Sequence, residues 1–312
     1  MAFPIEKKLV VAVASSALFK LDAADAVFRK QGLTAYREYQ RAHQSEILGK
    51  GIAFAFVERL LELNRLFPEE RPAEVVLLSH NDPDTGLRVF NAIEHYNLDI
   101  SRAAFTTGES PFKYAEAFNV SLFLSADGRD VKEALAHGCA AGQVVGSPSG
   151  LDSEDRGLCV AFDFDGVLAD DSAEKINASK GLEAFHASEA ANAAVPLPPG
   201  PLARFFRQLG ALHELENEHL AADPAYKRYL NLVIVTARSA PAHARVAATL
   251  RSWDIVADQV FFLGGMDKNR VLAALRPHIF FDDQKELNLS GSDRFTPSVH
   301  IPFGIKNQEN II

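Results

Sequence analysis

Short runs of apolar and β-branched residues recur along the chain and predict the strands of parallel sheets. Amphipathic helical segments separate most of these runs, and this alternation is typical of a doubly wound α/β fold. The predicted strands end near Val13, Ser79, Thr106 and Leu124 in the first half of the chain, and near Phe162, Thr236, Leu263 and Phe281 in the second. We therefore predict an α/β fold with one doubly wound parallel sheet in each half.

The same order of elements occurs twice because the chain contains two copies of one pattern. At a shift of 149 positions, residues 9–36 align with residues 158–185 without a gap. Further along, the shift is 157, so that Ser79 aligns with Thr236. The additional residues lie between the first two strands of the second half, in a helical insert of about residues 172–229. Inserts at this place often act as lids that exclude water.

A polar stretch rich in Gly, Ser and Pro, residues 146–156, predicts the boundary between the halves. The domains expected from it are residues 1–147 and residues 157–312. A chain of 312 residues is long enough for two such cores.

Composition and charge narrow the classes of function. The net charge of -9 is spread along the chain, which argues against a nucleic-acid-binding surface because phosphate backbones require a basic stripe. Only Cys139 and Cys159 occur, so we expect a reducing, cytoplasmic compartment rather than a disulfide framework. The apolar residues 9–19 follow two lysines, as in a signal peptide, but the repeat identifies them as a core strand. They are too short to cross a membrane, and we predict no membrane partner.

The candidate chemistry starts at the end of the first strand of the second half, in the stretch LCVAFDFDGVLADD. Side chains alternate along a strand, so Asp163 and Asp165 are predicted to leave its end on the same side. Two carboxylates this close need a raised pKa or a bound cation. Gly166 then allows a sharp turn.

Polar residues also follow the other three predicted strands of this half. They are Thr236, Ala237 and Arg238 after the second strand, Lys268 after the third, and Asp282 and Asp283 after the fourth. Each has an ordinary structural explanation as a cap, a turn former or an exposed charge. Because the carboxyl ends of parallel strands form the ligand-binding edge, their joint occurrence favours a site for magnesium-bound phosphate.

The motifs DFDGVL, VTAR, the Lys268 segment and FFDD resemble the four motifs of the haloacid dehalogenase superfamily. Longer stretches, among them AHARVAATLRSW, HNDPDTGLRVFNAI and TTGESPFKYAEAF, resemble the cytosolic 5′-nucleotidase I family from about Leu9 to Gly304. This resemblance implies magnesium-dependent hydrolysis of nucleoside 5′-monophosphates, with AMP and deoxynucleotides as typical substrates. Where the family pattern reads D-G-D-A-V, this chain has Phe164 and Gly166.

With this resemblance, the predicted mechanism is attack of Asp163 on phosphorus to form an aspartyl-phosphate. Asp165 protonates the departing 5′-oxygen and later takes a proton from the hydrolytic water. Thr236, Ala237, Arg238 and Lys268 are the predicted phosphate-binding residues. The predicted magnesium ligands are Asp163, the backbone carbonyl of Asp165, and Asp282 or Asp283, between which the sequence does not choose.

The first half lacks the acids of this site. Ala14 and Ser16 align with Asp163 and Asp165, and Ser125 and Ala126 align with Asp282 and Asp283. We therefore expect a non-catalytic copy whose strand ends form a pocket without carboxylates. The predicted contacts to a nucleotide effector (ADP or ATP) or to substrate are Ser79, Asn81, Asp82, Thr107, Gly108 and Lys113. The alternative is that this half only covers apolar surface.

Two other functions fit the same residues. One is a phosphatase for sugar phosphates or other small phosphomonoesters, and the other is a non-catalytic nucleotide sensor. The complete acid set of the second half argues against the sensor. The sequence leaves the base and sugar preference open, and it is compatible with an oligomer.

Overall fold

The computed structural model describes residues 4–146, 157–285 and 296–310. The chain divides into two compact units, Met1–Val144 and Val145–Ile312. The predicted linker, residues 146–156, lies outside the described residues except for Gly146.

The first unit contains a parallel sheet in the order β3-β2-β1-β4-β5. Its strands are β1 (Leu9–Val13), β2 (Ala73–Ser79), β3 (Arg102–Phe105), β4 (Leu122–Ser125) and β5 (Ala141–Val145). The helices are α1 (Ser15–Leu18), α2 (Asp22–Ala42), α3 (Phe54–Leu66), α4 (Pro83–His95) and α5 (Gly128–Ala136). Short 3-10 turns occur at Ile5–Lys7 and Phe112–Tyr114.

The second unit contains a parallel sheet with the corresponding order, β8-β7-β6-β9-β10. Its strands are β6 (Leu158–Phe162), β7 (Leu230–Thr236), β8 (Gln259–Phe262), β9 (Ile279–Asp282) and β10 (Ser298–His300). The helices are α6 (Ser172–Ala191), α7 (Ala203–Ala222), α8 (His243–Ser252) and α9 (Asn269–Leu275), followed by a 3-10 turn at Ile305–Asn310. The predicted helical insert thus corresponds to α6, α7 and the loop before β7.

The predicted α/β character and the parallel strand pairing are confirmed. The eight predicted strands end within one residue of their observed ends. Most of them are buried apolar runs, whereas β3 and β8 at the sheet edges are partly exposed. The sequence pattern does not predict β5 and β10. β10 has three residues, and β5 includes alanine, glycine and glutamine, so neither gives a strong strand signal.

Aromatic side chains fill the core of the second unit beside β6 and β9. The ring of Phe162 stacks on that of Phe281 at 5.0 Å and meets that of Phe206 edge-on at 5.1 Å. Phe205 and Phe206 on α7 are fully buried. No helix among the described residues combines the length and apolar character needed to cross a membrane.

The repeat is visible in one unusual backbone feature. Gly32 in α2 and Gly181 in α6, which the shift of 149 aligns, have nearly identical dihedral angles (φ 81°, ψ -173° and φ 82°, ψ 174°). This region of backbone space is essentially restricted to glycine. Both helices kink there. The segment after the kink carries buried side chains in both units, Tyr36 and Gln40 in α2 and Phe185 and Glu189 in α6.

We expect Gly181→Ala to lower the free energy of unfolding by about 1–3 kcal/mol, because the added Cβ strains the backbone although it meets no atom within 4 Å. Denaturant unfolding measures this change. The control Ser179→Ala, at an exposed position of the same helix, should change stability by less than about 0.5 kcal/mol. An equal loss in both variants would contradict the conformational explanation.

Candidate active site

Three buried carboxylates meet where β6 and β9 end. Asp163 follows β6, and Asp282 and Asp283 lie at the end of β9, which is paired with β6. One carboxylate oxygen from each residue lies within 4.8 Å of the other two. The exposed fractions of the three residues are 4%, 0% and 1%. The sequence prediction that these acids converge therefore agrees with the described geometry.

Lys268 supplies the positive charge next to this cluster. Its Nζ lies 2.7 Å from Asp163 Oδ2 and 2.7 Å from Asp282 Oδ2, and the residue is 3% exposed. Burial lowers the pKa of Lys268, but the two carboxylates outweigh that effect and raise the pKa above its usual value. One ammonium thus faces three carboxylates, and the site has a deficit of positive charge.

The lack of compensating positive charge is clearest at Asp283. Neither of its carboxylate oxygens has a hydrogen-bond partner among the described residues. Burial, followed by the charges of Asp163, Glu174 and Asp282, raises the pKa of Asp283 to about 9. Burial also raises the pKa of Asp163, although Lys268 opposes this effect. Buried oxygen ligands without partners are the donor set that a hard divalent cation requires.

Gly166 makes room for Asp283. Its φ of +74° favours glycine, and a Cβ at this position would lie 2.7 Å from Asp283 Oδ2. The glycine, where the family pattern has alanine, therefore both forms the turn after Asp165 and allows the carboxylate to approach the backbone.

The carboxylate of Asp165 points away from the three-carboxylate cluster. Arg238 donates to it twice, from Nε and from Nη2, each at 2.7 Å. Asp165 does not belong to the group of carboxylates that could hold a metal ion among the described residues. Its predicted contribution to metal binding is therefore limited to its backbone carbonyl.

Arg238 was predicted to bind phosphate, but its side chain is 2% exposed and lies in an ion-pair network. Besides Asp165, it contacts the buried Glu189 of α6. The rings of Phe164 and Phe185 lie 5.4 and 5.5 Å from its guanidinium carbon. All three kinds of donor nitrogen are engaged with carboxylates, so direct phosphate binding by Arg238 stays a prediction.

The neighbours of Arg238 are held by backbone hydrogen bonds. Thr236 Oγ accepts from the Arg238 N–H at 3.2 Å, and the residue is 1% exposed. The Ala237 carbonyl accepts from the Gly265 N–H at 3.2 Å. The loop after β7 is thereby fixed against the loop after β8.

Sequence reasoning missed Glu189, Arg245 and Glu174. Glu189 is 0% exposed and pairs with Arg245 Nη1 at 2.7 Å. Burial raises the pKa of Glu174 to about 7, and one of its oxygens has no partner among the described residues. Both glutamates lie in the helical insert, so in the sequence they do not follow a strand end. Helical spacing would have indicated Glu189, because it shares a helix face with the buried Phe185 four positions earlier.

The corresponding strand ends of the first unit form a cavity of about 560 Å³. Of the predicted contacts, Ser79, Asn81, Asp82, Thr107 and Gly108 line it. Lys113 is not among the lining residues, and its Nζ pairs with Glu109 at 3.0 Å. The expectation of a pocket without carboxylates is wrong, because five acids line the cavity, of which Asp82 is itself one of the predicted contacts. These are Asp25, Asp82, Asp127, Asp130 and Glu133.

Comparison with known proteins agrees with this chemistry. A family model described as 5′-nucleotidase matches residues 1–308. The chain is 35% identical over 295 residues to cytosolic 5′-nucleotidase 1B of Homo sapiens, covering 92% of this chain and 47% of the relative. The chain thus spans about half the length of this curated relative. No solved structure matches the chain significantly. The resemblance to the 5′-nucleotidases is confirmed, and the chain belongs to the 5′-nucleotidase family of phosphomonoester hydrolases.

Proposed function

We propose that the second unit hydrolyses nucleoside 5′-monophosphates, AMP or deoxynucleotides, to nucleoside and phosphate with Mg²⁺ as cofactor. The observation that carries this proposal is the buried cluster of Asp163, Asp282 and Asp283 beside Lys268. The name of the human relative supports both the substrate class and a cytoplasmic location. The shared strand order supports two haloacid dehalogenase-like domains, residues 1–147 and 157–312.

Asp163 is the proposed nucleophile, and its contacts fix its orientation. Its Oδ1 accepts from the Phe164 N–H at 2.7 Å, and its Oδ2 lies 2.7 Å from Lys268 Nζ. Attack on phosphorus forms the aspartyl-phosphate and releases the nucleoside. Lys268 reduces the repulsion between the carboxylate and the anionic substrate, because its charge lies in a buried site of low dielectric constant.

Asp283 is the better candidate than Asp282 for direct metal binding. Asp282 Oδ1 accepts from the Gln284 N–H at 2.8 Å, and Asp282 Oδ2 accepts from Lys268. Both oxygens of Asp283 are without hydrogen-bond partners among the described residues. Asp163, Asp283, the Asp165 carbonyl and Asp282 would hold Mg²⁺, which supplies positive charge to the transferring phosphoryl group when bound.

Asp165 and Thr236 are the proposed proton carrier and phosphate ligand. Asp165 gives a proton to the 5′-oxygen and takes one from the hydrolytic water. Thr236 Oγ accepts from a backbone N–H, so its own proton remains to be donated to a phosphoryl oxygen.

A phosphatase for sugar phosphates would use the same residues, and a panel of phosphomonoesters with Mg²⁺ separates the two activities. The nucleotidase proposal requires a clear preference for nucleoside monophosphates. A non-catalytic sensor would release no phosphate above background.

The cavity of the first unit favours a second function, the binding of a nucleotide effector such as ADP or ATP. The apolar wall includes Phe28 and Leu33, which are 47% and 51% exposed and could contact a base. Arg29 also lines the cavity, where its charge interacts with those of Asp25 and Asp127, and it is the proposed contact for a phosphate. Asp82 and Asn81 are held by Arg37 and Tyr36, which pre-organises this wall.

We expect Asp163→Asn to lower the rate of phosphate release from AMP by at least ~10³-fold, because the amide cannot act as the nucleophile. The assay uses the full chain with MgCl₂. Asp254→Asn removes the same charge at an exposed position and should keep the wild-type rate. Near-normal turnover by Asp163→Asn would exclude the proposed mechanism.

We expect Asp283→Asn to stabilise the metal-free protein and to abolish stabilisation by Mg²⁺. The pKa of Asp283, about 9 in the folded state, exceeds the unfolded value of about 4. Between these values the folded state binds the proton more tightly, so wild-type stability falls as pH rises through this range. Thermal unfolding in EDTA, measured from acid to alkaline pH, should show this fall in the wild type and a smaller one in the variant.

The same experiment with MgCl₂ gives the second readout. Mg²⁺ should raise the melting temperature of the wild type and of Asp254→Asn, but not that of Asp283→Asn. An equal Mg²⁺ shift in all three proteins would contradict the assigned ligand.

We expect Arg29→Ala to weaken binding of ADP to the first unit by about 10-fold, because one charge-assisted contact is lost. Calorimetric titration of the full Asp163→Asn chain measures it. Lys113→Ala, which removes a cation outside the cavity, should bind ADP as its parent does. Equal weakening in both variants, or binding in neither, would count against the effector site.

A further inference from the structure

Four charged side chains form a continuous network behind the proposed proton carrier. Arg238 holds both oxygens of Asp165, Glu189 contacts Arg238, and Arg245 Nη1 lies 2.7 Å from Glu189 Oε1. Glu189 is completely buried, and the side chains of Arg238 and Arg245 are 2% and 11% exposed. A buried carboxylate between two guanidinium groups is costly to remove, since its loss leaves two buried cations under-compensated.

Helix α6 also fixes Arg238 through its aromatic side chain. Phe185 and Glu189 are four positions apart and therefore lie on one face of α6. The ring of Phe185 lies 5.5 Å from the guanidinium carbon of Arg238, and Glu189 accepts a hydrogen bond from it. Two side chains of α6 thus contact the guanidinium group that holds Asp165.

The first unit provides an internal comparison for this network. At the positions of Asp165, Arg238, Glu189 and Arg245 it carries Ser16, Asn81, Gln40 and Arg88. The contact between the helix residue and the last arginine is retained, because Arg88 Nη1 donates to Gln40 Oε1 at 3.2 Å. At the other aligned positions the first unit has no counterpart of the Asp165 carboxylate, of the Arg238 guanidinium or of the charge on Glu189.

This pattern separates two roles of the network. Both units keep a contact between the kinked helix and an arginine, Gln40 with Arg88 and Glu189 with Arg245, so this contact is sufficient for packing of the helix. The negative charge of Glu189 is found only in the unit that also has Arg238 and Asp165. We therefore attribute that charge to these two residues and not to the fold.

We propose that Glu189 is a positioning residue that, through Arg238, holds Asp165 for the second half of the reaction. This inference rests on the proposed function, in which Asp163 becomes phosphorylated. A water oxygen attacks phosphorus, the bond between phosphorus and the Asp163 oxygen breaks, and its electron pair returns to Asp163. The water proton passes to Asp165, whose oxygens accept from Arg238 and retain lone pairs for it.

Replacing Glu189 by glutamine disturbs this arrangement without changing its volume. A glutamine amide has one acceptor oxygen, so one of the two guanidinium groups would meet an N–H group instead. Arg238 would then shift, and the Asp165 carboxylate would shift with it. Hydrolysis of the aspartyl-phosphate should slow with every substrate. Its formation should slow with a nucleotide, whose 5′-oxygen needs a proton from Asp165, but not with p-nitrophenyl phosphate, whose phenolate leaves without one.

Rapid-quench kinetics with p-nitrophenyl phosphate and MgCl₂ on the full chain tests the proposal, because its leaving group departs without a proton from Asp165. In Glu189→Gln we expect kcat to fall at least ~10-fold, since displacing Asp165 removes part of its acid–base contribution to hydrolysis. We expect kcat/KM, which reports formation of the phosphoenzyme, to change less than ~3-fold. A burst of about one p-nitrophenol per active site should precede the slow phase.

Glu216→Gln is the matched control. Glu216 is also completely buried and lies on the other insert helix, where it accepts from the backbone N–H groups of Tyr229 and Leu230. This variant should lose stability but show no p-nitrophenol burst beyond that of the wild type.

A second variant keeps the test decisive if Glu189→Gln does not fold. The double change Glu189→Gln and Arg238→Asn removes one negative and one positive charge, so the net charge of the network is unchanged, and it introduces the residues that the first unit carries at both positions. It should show the same burst, because Asp165 again loses its support.

A burst with retained kcat/KM in either variant supports the proposal. Loss of kcat and kcat/KM by the same factor without a burst, or wild-type kinetics, would overturn it. Failure of the proposed function is distinguishable, since Asp163→Asn would then release adenosine at a near-normal rate. That result would remove the phosphoenzyme and, with it, this inference.

Discussion

An excess of buried negative charge at the ends of β6 and β9 is the constraint on which the candidate site of the second unit depends. Asp163, Asp282 and Asp283 converge there, and Lys268 neutralises part of their charge. The pKa of Asp283 is raised because the remaining negative charge is buried with it. Burying such groups is unfavourable unless a cation or a proton accompanies them. This cost supports the proposal that the site holds a cation.

The two units have the same strand order, but the first unit has no acids at the positions aligned with this cluster. Their sheets have corresponding strand orders, and their helices kink at aligned glycines. In the first unit the acids are replaced by residues such as Ser16 and Ser125, whose hydroxyl oxygens lie 3.5 Å apart. Neutral hydroxyls need no metal ion. The fold alone thus does not determine the chemistry, which depends on the side chains at the strand ends.

The sequence allowed the strands and the converging acids to be predicted, because both depend on local pattern. Buried parallel strands are continuous apolar runs, and their carboxyl ends meet at one edge of the sheet. The partners of Arg238 could not be predicted in this way. Glu189 lies 49 positions away in a helix, and its role depends on how that helix packs.

The first unit shows the same limit. Lys113 follows β3 in the sequence, but the 3-10 turn at Phe112–Tyr114 leaves its charge paired with Glu109 instead of at the cavity. Conversely, Asp25 and Asp130 reach the cavity from helices α2 and α5. Where a side chain is placed by a short strand or by the packing of a helix, the order of residues along the chain does not show which site it reaches.

A crystal structure of the full chain soaked with Mn²⁺, with anomalous scattering used to locate the ion, tests the metal site most directly. We expect one strong peak on the order of 2 Å from carboxylate oxygens of Asp163 and Asp283. Binding of Mn²⁺ elsewhere in the second unit, or no ion beside the Asp283 carboxylate, would contradict the proposed site.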